Sequence, residues 1–476
     1  MESSLAEEVL DADFNDLRLT TRLGRIVEAL GERPNLSIPA ALGGRAETEA
    51  AYRFFANERV TPDAILKCHF EASVRRVAQQ PVALLVQDTT EIDLTRPTQQ
   101  VAGAGPMDSE SRRGAFVHPM MAFDSQGLPL GLVWSKMWTR ASIQTAATAH
   151  EKHQLAKRTP IEEKESIRWI EGLRAARQVA ELCPDTECIC VGDSESDIYE
   201  LFAEPRHTTH GRPVQLLVRA CQDRALSESN GCLLAAVRAT PCRYTCTLNV
   251  GPRKPKTSTE TRKRRTARDA RTAEVEVRTC TVTLRPPPRF DRSLPEVTVN
   301  VVLVEEAAPP EGQEPIQWIL ITTLPIESEA AVELVVAYYC QRWGIETYFK
   351  TLKSGCRVEE RQFEYLDREL NCLAVYSLAA WRIQMLCRLG RTCPDLDCEV
   401  IFEPSEWKSV WMAVHRKSPP NQPPRLNEMI RLIASLGGYV RRKKTQPGTQ
   451  TLWIGMQRMF DLATAWDVFG PGRTEP

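Results

Sequence analysis

Three acids in this 476-residue chain stand where they could work on a phosphate. Asp88 and Asp193 each follow a short apolar run, VALLV (82–86) and CICV (188–191), and Glu346 lies within YCQRWGIETYFKTLK (339–353). At about 100° per residue, Tyr339, Arg342, Glu346, Lys350 and Lys353 fall in one stripe of a single helix. Ile345, Tyr348 and Leu352 form a separate apolar stripe, so the core face is already assigned and the charged stripe is left for solvent or a ligand. A surface helix with Glu–Lys pairs would look similar, and an acid at a strand end is often only a cap. Together, though, the residues suit phosphodiester chemistry. Cleavage requires a deprotonated water or hydroxyl, neutralised charge on phosphorus and a stabilised leaving oxygen, which two Mg²⁺ ions about 4 Å apart can supply. Mg²⁺ prefers hard carboxylate oxygens, making Asp88, Asp193 and Glu346 candidate ligands, with cations beside them for phosphate.

The elements needed to hold these residues are legible in outline. Residues 1–80 are helical in pattern, with Phe14, Leu17, Leu19, Leu23, Ile26, Val27 and Leu30 at helical spacing before Gly31 and Pro34. Arginines 18, 22, 25, 45 and 53 decorate this module. Strands are expected at 82–86, 117–123 and 128–134, the last two forming a hairpin through Asp124–Gly127. A helix over about 161–182 then leads to the strand ending at Gly192-Asp193. The order strand, strand, strand, helix, strand is an α/β layout. Strand signals dominate from about 213 to 324, and helices follow Pro325 through Arg391. A Pro-rich linker, SPPNQPP (418–424), precedes two last helices near 425–436 and 451–468.

Composition narrows the class. With 42% hydrophobic and 26% charged residues, the chain is of ordinary globular composition. No uninterrupted apolar run nears the roughly 20 residues of a membrane span. The opening MESSLAEEVLDADF has neither a basic stretch nor an apolar core, so a cytoplasmic location and no membrane partner are expected. Fifteen scattered cysteines suit a reducing compartment, and Cys183/Cys188/Cys190 and Cys393/Cys398 are expected to be core thiols rather than zinc ligands. Net charge is only −1, but basic residues cluster from Arg253 to Arg271 and at Arg441–Lys444, which makes a polyanion partner worth testing.

VQDTT (86–90), VGDSESDIYE (191–200), the spacing of Tyr339, Arg342, Glu346 and Lys353, and the tail LGGYVRRKKTQPGTQTLWIGMQRM (436–459) carry a resemblance. So do FNDLRLTTRL (14–23) and EAAYRFFANERV (49–60). The chain resembles the IS-four family of bacterial DDE transposases, most closely its Tn-five-like members, from about residue 10 to 465. The resemblance implies an α/β fold with a ribonuclease-H-like catalytic core (76–390) interrupted by a β-strand insertion (about 213–324). A helical DNA-end-binding domain (1–75) and a linker with a helical dimerisation domain (391–476) would flank it. It implies Asp88, Asp193 and Glu346 as ligands of two Mg²⁺ ions, with Mn²⁺ a substitute. Tyr339, Arg342 and Lys353 would hold a phosphate, Trp318 would stack a flipped base, and Arg219 would touch a phosphate. Lys350, Arg22 and Arg53 complete the expected DNA contacts. The implied activity is cut-and-paste transposition by a homodimer on double-stranded transposon ends and target DNA, through a DNA hairpin. Gly344 and Ser194 depart from the pattern, each standing where a basic residue is common. An inactive or domesticated DNA-binding copy and a general metal-dependent nuclease are the rival readings.

Overall fold

The helical start of the chain is set by its caps. In the computed structural model, which describes residues 4–142, 148, 155, 158–228, 231–251, 269–289, 292–442 and 445–470, a short 3₁₀ turn (Leu5–Val9) precedes α1 (Leu17–Glu32), capped by the Asp16 side chain. Next come α2 (Ile38–Leu42), closed by Gly43 at φ +71°, and α3 (Arg45–Phe55). In α4 (Pro62–Val77), Thr61 caps the N-terminus and Pro62 occupies the first turn. Leu23, Ile26, Val27 and Leu30 are buried as their spacing predicts. Leu17 is not: as the first residue of α1 it is 83% exposed.

The chain packs as two units, residues 1–145 with 343–476, and residues 146–342. In the first unit, β1 (Val82–Gln87), β2 (Thr90–Asp93) and β3 (Gly105–Pro106) all pair antiparallel with β4 (Arg113–Asp124), as does β5 (Pro129–Trp138). The β4–β5 turn is the expected one. Gly127 takes φ +83°, and the Asp124 carboxylate accepts from the amides of Gln126 and Leu128.

In the second unit, α5 (Ile167–Leu182), β6 (Glu187–Gly192) and α6 (Tyr199–Ala203) precede β7 (Gln215–Arg219) and α7 (Leu233–Arg238). Strands β8 (Tyr244–Val250), β9 (Arg271–Leu284), β10 (Val297–Glu306) and β11 (Gln317–Thr322) follow, then α8 (Glu329–Gln341). Strand signals dominate the sequence over about 213–324, and five strands form there, continuing the sheet from β6. β7 lies parallel to β6, and the order β6-β7-β11-β10-β9-β8 is continuous. Cys188 and Cys190 are buried in β6, and burial pushes the Cys188 thiol up to about 12.

The rest of the first unit is helical: α9 (Trp343–Lys350), a single π turn (Thr351–Gly355), α10 (Leu366–Thr392), α11 (Pro404–His415), α12 (Leu426–Leu436) and α13 (Thr449–Phe469). By length and composition α10 could cross a membrane, an outcome the interrupted apolar runs of the sequence did not suggest. Packing explains it, since 94% of its most apolar window is buried within the protein, against α1, α4 and β5 among others. Asn371 on α10 donates to the carbonyls of Phe55 and Val60, fastening the end of α3 to this core helix.

Candidate active site

Strand ends place the two aspartates. Asp88 and Asp193 are the first residues beyond β1 and β6, and both are half-buried. Gly192 precedes Asp193 because a Cβ there would lie 2.3 Å from Ser196 Oγ. The Asp193 carboxylate then accepts from the Glu195 amide at 2.8 Å, turning the chain into a 3₁₀ helix.

Around Asp193 the second unit gathers four more of the expected residues. Arg219, at the end of β7, donates from Nη2 to Ser194 Oγ at 3.1 Å. Ser194 thus lacks the basic side chain common at its position, yet a guanidinium from the neighbouring strand reaches it. Asp197 supports this arrangement in a way the sequence did not reveal. Fully buried, it accepts from the Cys221 and Gln222 amides and from Arg224 Nε, tying down the chain just after Arg219. Trp318, half-buried in β11, meets the Tyr339 ring edge-on at 5.7 Å. The Arg342 guanidinium lies 6.0 Å from the same ring. Burial pushes the Tyr339 hydroxyl above its ordinary range, as does Asp193, while Arg219 and Arg342 pull it down. That hydroxyl makes no hydrogen bond of acceptable geometry among the described residues, close though Arg342 is. A buried phenol flanked by two arginines can donate to an anion.

The single charged helix stripe expected over 339–353 is corrected. Tyr339 and Arg342 are buried, at 5% and 7% exposure, while Lys350 is exposed, so the five residues do not share one surface. The helix is interrupted at Arg342, and the π turn breaks the register again before Lys353. Thr351 Oγ1 bonds the Thr347 carbonyl there, and Gly355 lies so close to Trp453 that a Cβ would sit 2.9 Å from the indole. The face α9 presents to solvent carries Trp343 (64% exposed), half-buried Glu346 and Thr347, and exposed Lys350. Ile345 and Tyr348 are in the core, as expected.

Lys353 forms an ion pair with Glu359 at 3.2 Å. Arg22 pairs with Glu47, while Arg53 is exposed at the last turn of α3. Arg18, Thr21, Arg22 and Arg25 line a shallow depression on α1. Of the basic block at 253–271, residues 253–268 lie outside the described residues. Arg271 is no free cation: it is held by Glu306 in a bidentate, largely buried pair. Lys443 and Lys444 also lie outside the described residues; Arg441 and Arg442 are exposed.

Asp88 and Glu346 belong to the first unit and Asp193 to the second. Among the described residues no three His, Cys, Asp or Glu side chains form a ready-made metal centre. The donor chemistry nevertheless fits Mg²⁺, because all three side chains are carboxylates and half-buried.

Three family models match. The transposase DDE domain model covers residues 85–381, more than half of the chain. A transposase DNA-binding model covers 1–60, and the transposase Tn5 dimerisation domain model covers 378–465. Among solved structures, the piggyBac transposase synaptic complex with hairpin DNA is similar at TM-score 0.30 and 10% identity, over 68% of this chain and 52% of that one. The chain thus spans about half the length of that protein, and a likeness so remote says nothing of mechanism.

Proposed function

The chain belongs to the transposase DDE-domain family, and from that membership we propose that it is a cut-and-paste DNA transposase acting as a homodimer on transposon ends in the cytoplasm. The observation that carries the reading is the cluster of Asp193 just beyond β6, Arg219 at the end of β7, Trp318 in β11, Tyr339 in α8 and Arg342 just beyond it. Acid, two arginines, a buried phenol and a half-exposed indole are what a bent or flipped nucleotide beside a reacting phosphodiester requires.

In this reading Asp88, Asp193 and Glu346 hold two Mg²⁺ ions, with Mn²⁺ able to replace them, on a ribonuclease-H-like core. Bound there, the ions would lower the pKa of the attacking water and neutralise charge on the phosphate. Arg219, Arg342 and Tyr339 bind a phosphate oxygen and fix its distance from the acids. Trp318 offers an aromatic face on which an extruded base stacks, partly offsetting the cost of unstacking it. Lys350 and Lys353 add cationic charge along the DNA path, Lys353 after giving up Glu359. Residues 1–75, with Arg22 and Arg53, read the end repeats, and residues 391–476 dimerise. Each step, from first nick through hairpin formation and opening to strand joining, is an in-line phosphoryl transfer, so one set of residues serves them all.

The test is a strand-cleavage assay on a duplex carrying the element's terminal repeat, with Mg²⁺ or with EDTA. Nicking followed by a hairpin product is expected with Mg²⁺ alone, and Asp193→Ala should lose both while still shifting the duplex in a gel. Tight end binding without any cleavage would instead identify a non-catalytic relative.

A further inference from the structure

The two residues flanking Asp88 are fastened to one buried imidazole. His118 on β4 has no exposed surface. Its Nδ1 lies 2.8 Å from Thr89 Oγ1 and its Nε2 lies 3.0 Å from Gln87 Oε1. The edge of Trp134 on β5 packs at 5.9 Å and restricts the ring plane.

The strand register explains why such a fastening is needed. Gln87 pairs with Met120 and Thr90 with Val117, so β1 and β2 run along β4 in one register. The two residues between them, Asp88 and Thr89, therefore stand opposite Pro119 and His118. Pro119 has no N–H to give the ladder. The regular strand stops at this point and resumes two residues later. A carboxylate on a loosened stretch of backbone makes a poor ligand, because holding a hard cation demands fixed oxygens. His118 lies on the same sheet face as Gln87 and Thr89, and Asp88 projects to the other. One neutral tautomer satisfies both flanks: Nε2–H donates to the Gln87 amide oxygen, and Nδ1 accepts from the Thr89 hydroxyl. The Asp88 carboxylate also accepts from the Thr89 amide at 2.7 Å, so Thr89 links the imidazole clamp to the acid.

We infer that His118 is a positioning residue for Asp88, substituting two side-chain bonds for the ladder bond that Pro119 cannot make. The inference rests on Asp88 being a metal ligand, and its test separates the two claims. Mn²⁺ binding is read by electron paramagnetic resonance on the full chain bound to a terminal-repeat duplex, using Asp88→Asn, His118→Phe, Thr89→Val and Thr89→Ser. Asp88→Asn should remove a Mn²⁺ site. His118→Phe and Thr89→Val should each weaken that site about 10-fold or more, the usual effect of removing a group that orients a metal ligand. Thr89→Ser, which keeps the hydroxyl, should bind as wild type. Thr89→Val changes little volume and so reports even if His118→Phe fails to fold. If Asp88→Asn removes the site while both His118→Phe and Thr89→Val leave Mn²⁺ affinity unchanged, the positioning role is overturned and the metal assignment stands. If Asp88→Asn leaves Mn²⁺ binding intact, the metal assignment fails and takes the positioning role with it.

Discussion

Gly344, two residues before Glu346, offers a direct measure of how tightly the acid's helix is seated. A Cβ built there would lie 2.6 Å from Phe123 Cε1 and 2.7 Å from Cζ, roughly 1 Å inside ordinary carbon–carbon contact. Phe123 is fully buried in β4 and paired with Leu84, so its ring has little room to move. The backbone cannot easily retreat either, because Gln384 Nε2 donates to the Gly344 carbonyl at 2.8 Å. In a free helix Gly→Ala would gain about 1 kcal/mol. Overpacking a rigid core site costs about 1–3 kcal/mol, and with both neighbours pinned the upper half of that range applies. Gly344→Ala should therefore destabilise the chain by about 1–2 kcal/mol net of the propensity gain. It should also displace α9 enough to slow Mg²⁺-dependent nicking about 10- to 100-fold, since misplacing a reactive group by 1 Å can cost that much. Phe123→Leu removes the clashing ring edge, so the double variant should recover about 1 kcal/mol or more relative to the sum of the singles. Denaturant melts of the four proteins give the cycle, and nicking rates give its functional counterpart. If Gly344→Ala proves as stable as wild type, or if the double variant is merely additive, the contact with Phe123 does not seat the helix.

Glu369, buried on α10, has its carboxyl pushed up to about 8 by burial, with the Arg96 guanidinium, 3.9 Å away, opposing. A carboxyl whose folded pKa exceeds its unfolded one binds the extra proton in the native state, so stability falls as pH rises from about 4.5 towards 8. Melts from pH 4 to 8 should show wild type losing about 1–3 kcal/mol relative to Glu369→Gln, and parallel curves would refute this. Asn371→Ala strips the donors from two buried carbonyls and should cost about 2–4 kcal/mol. Amide exchange should then rise first around 55–60, and uniform loss of protection would count against the clamp. Trp318→Ala should reduce hairpin yield more than first-strand nicking in the cleavage assay, whereas equal loss at both steps would argue against base stacking. Neutralising Arg22 and Arg53 together should lower the slope of log affinity against log salt for end DNA by about 2, one per phosphate contact, and an unchanged slope would remove them from the interface.

Much of the scaffold was legible because it depends on local patterning. The helices α1 to α4, the β4–β5 turn at Asp124–Gly127, and the five strands from β7 to β11 follow from apolar period, caps and turn residues. The two aspartates were legible because each ends an apolar run, and a strand end fixes an acid without help from distant sequence. Long-range effects were not. Helical periodicity put Tyr339, Arg342, Glu346, Lys350 and Lys353 on one stripe left for solvent or a ligand, but periodicity assumes an unbroken helix. The helix breaks at Arg342, and the π turn at Thr351–Gly355 packs against Trp453, which lies far away in sequence.

Sequence alone thus determined which residues are acids, cations and aromatics, and which short segments become strand or helix, because those depend on side-chain chemistry and neighbours a few positions away. Tertiary structure decided which of them are buried and what each one touches. Arg219 beside Ser194 and His118 across the gap at Asp88 are set by strand pairing between residues 25 and 29 positions apart, and Trp318 against Tyr339 by the packing of a strand on a helix 21 positions on. Such pairings are chosen by the sheet's collective burial and register, and no local stretch of sequence encodes them.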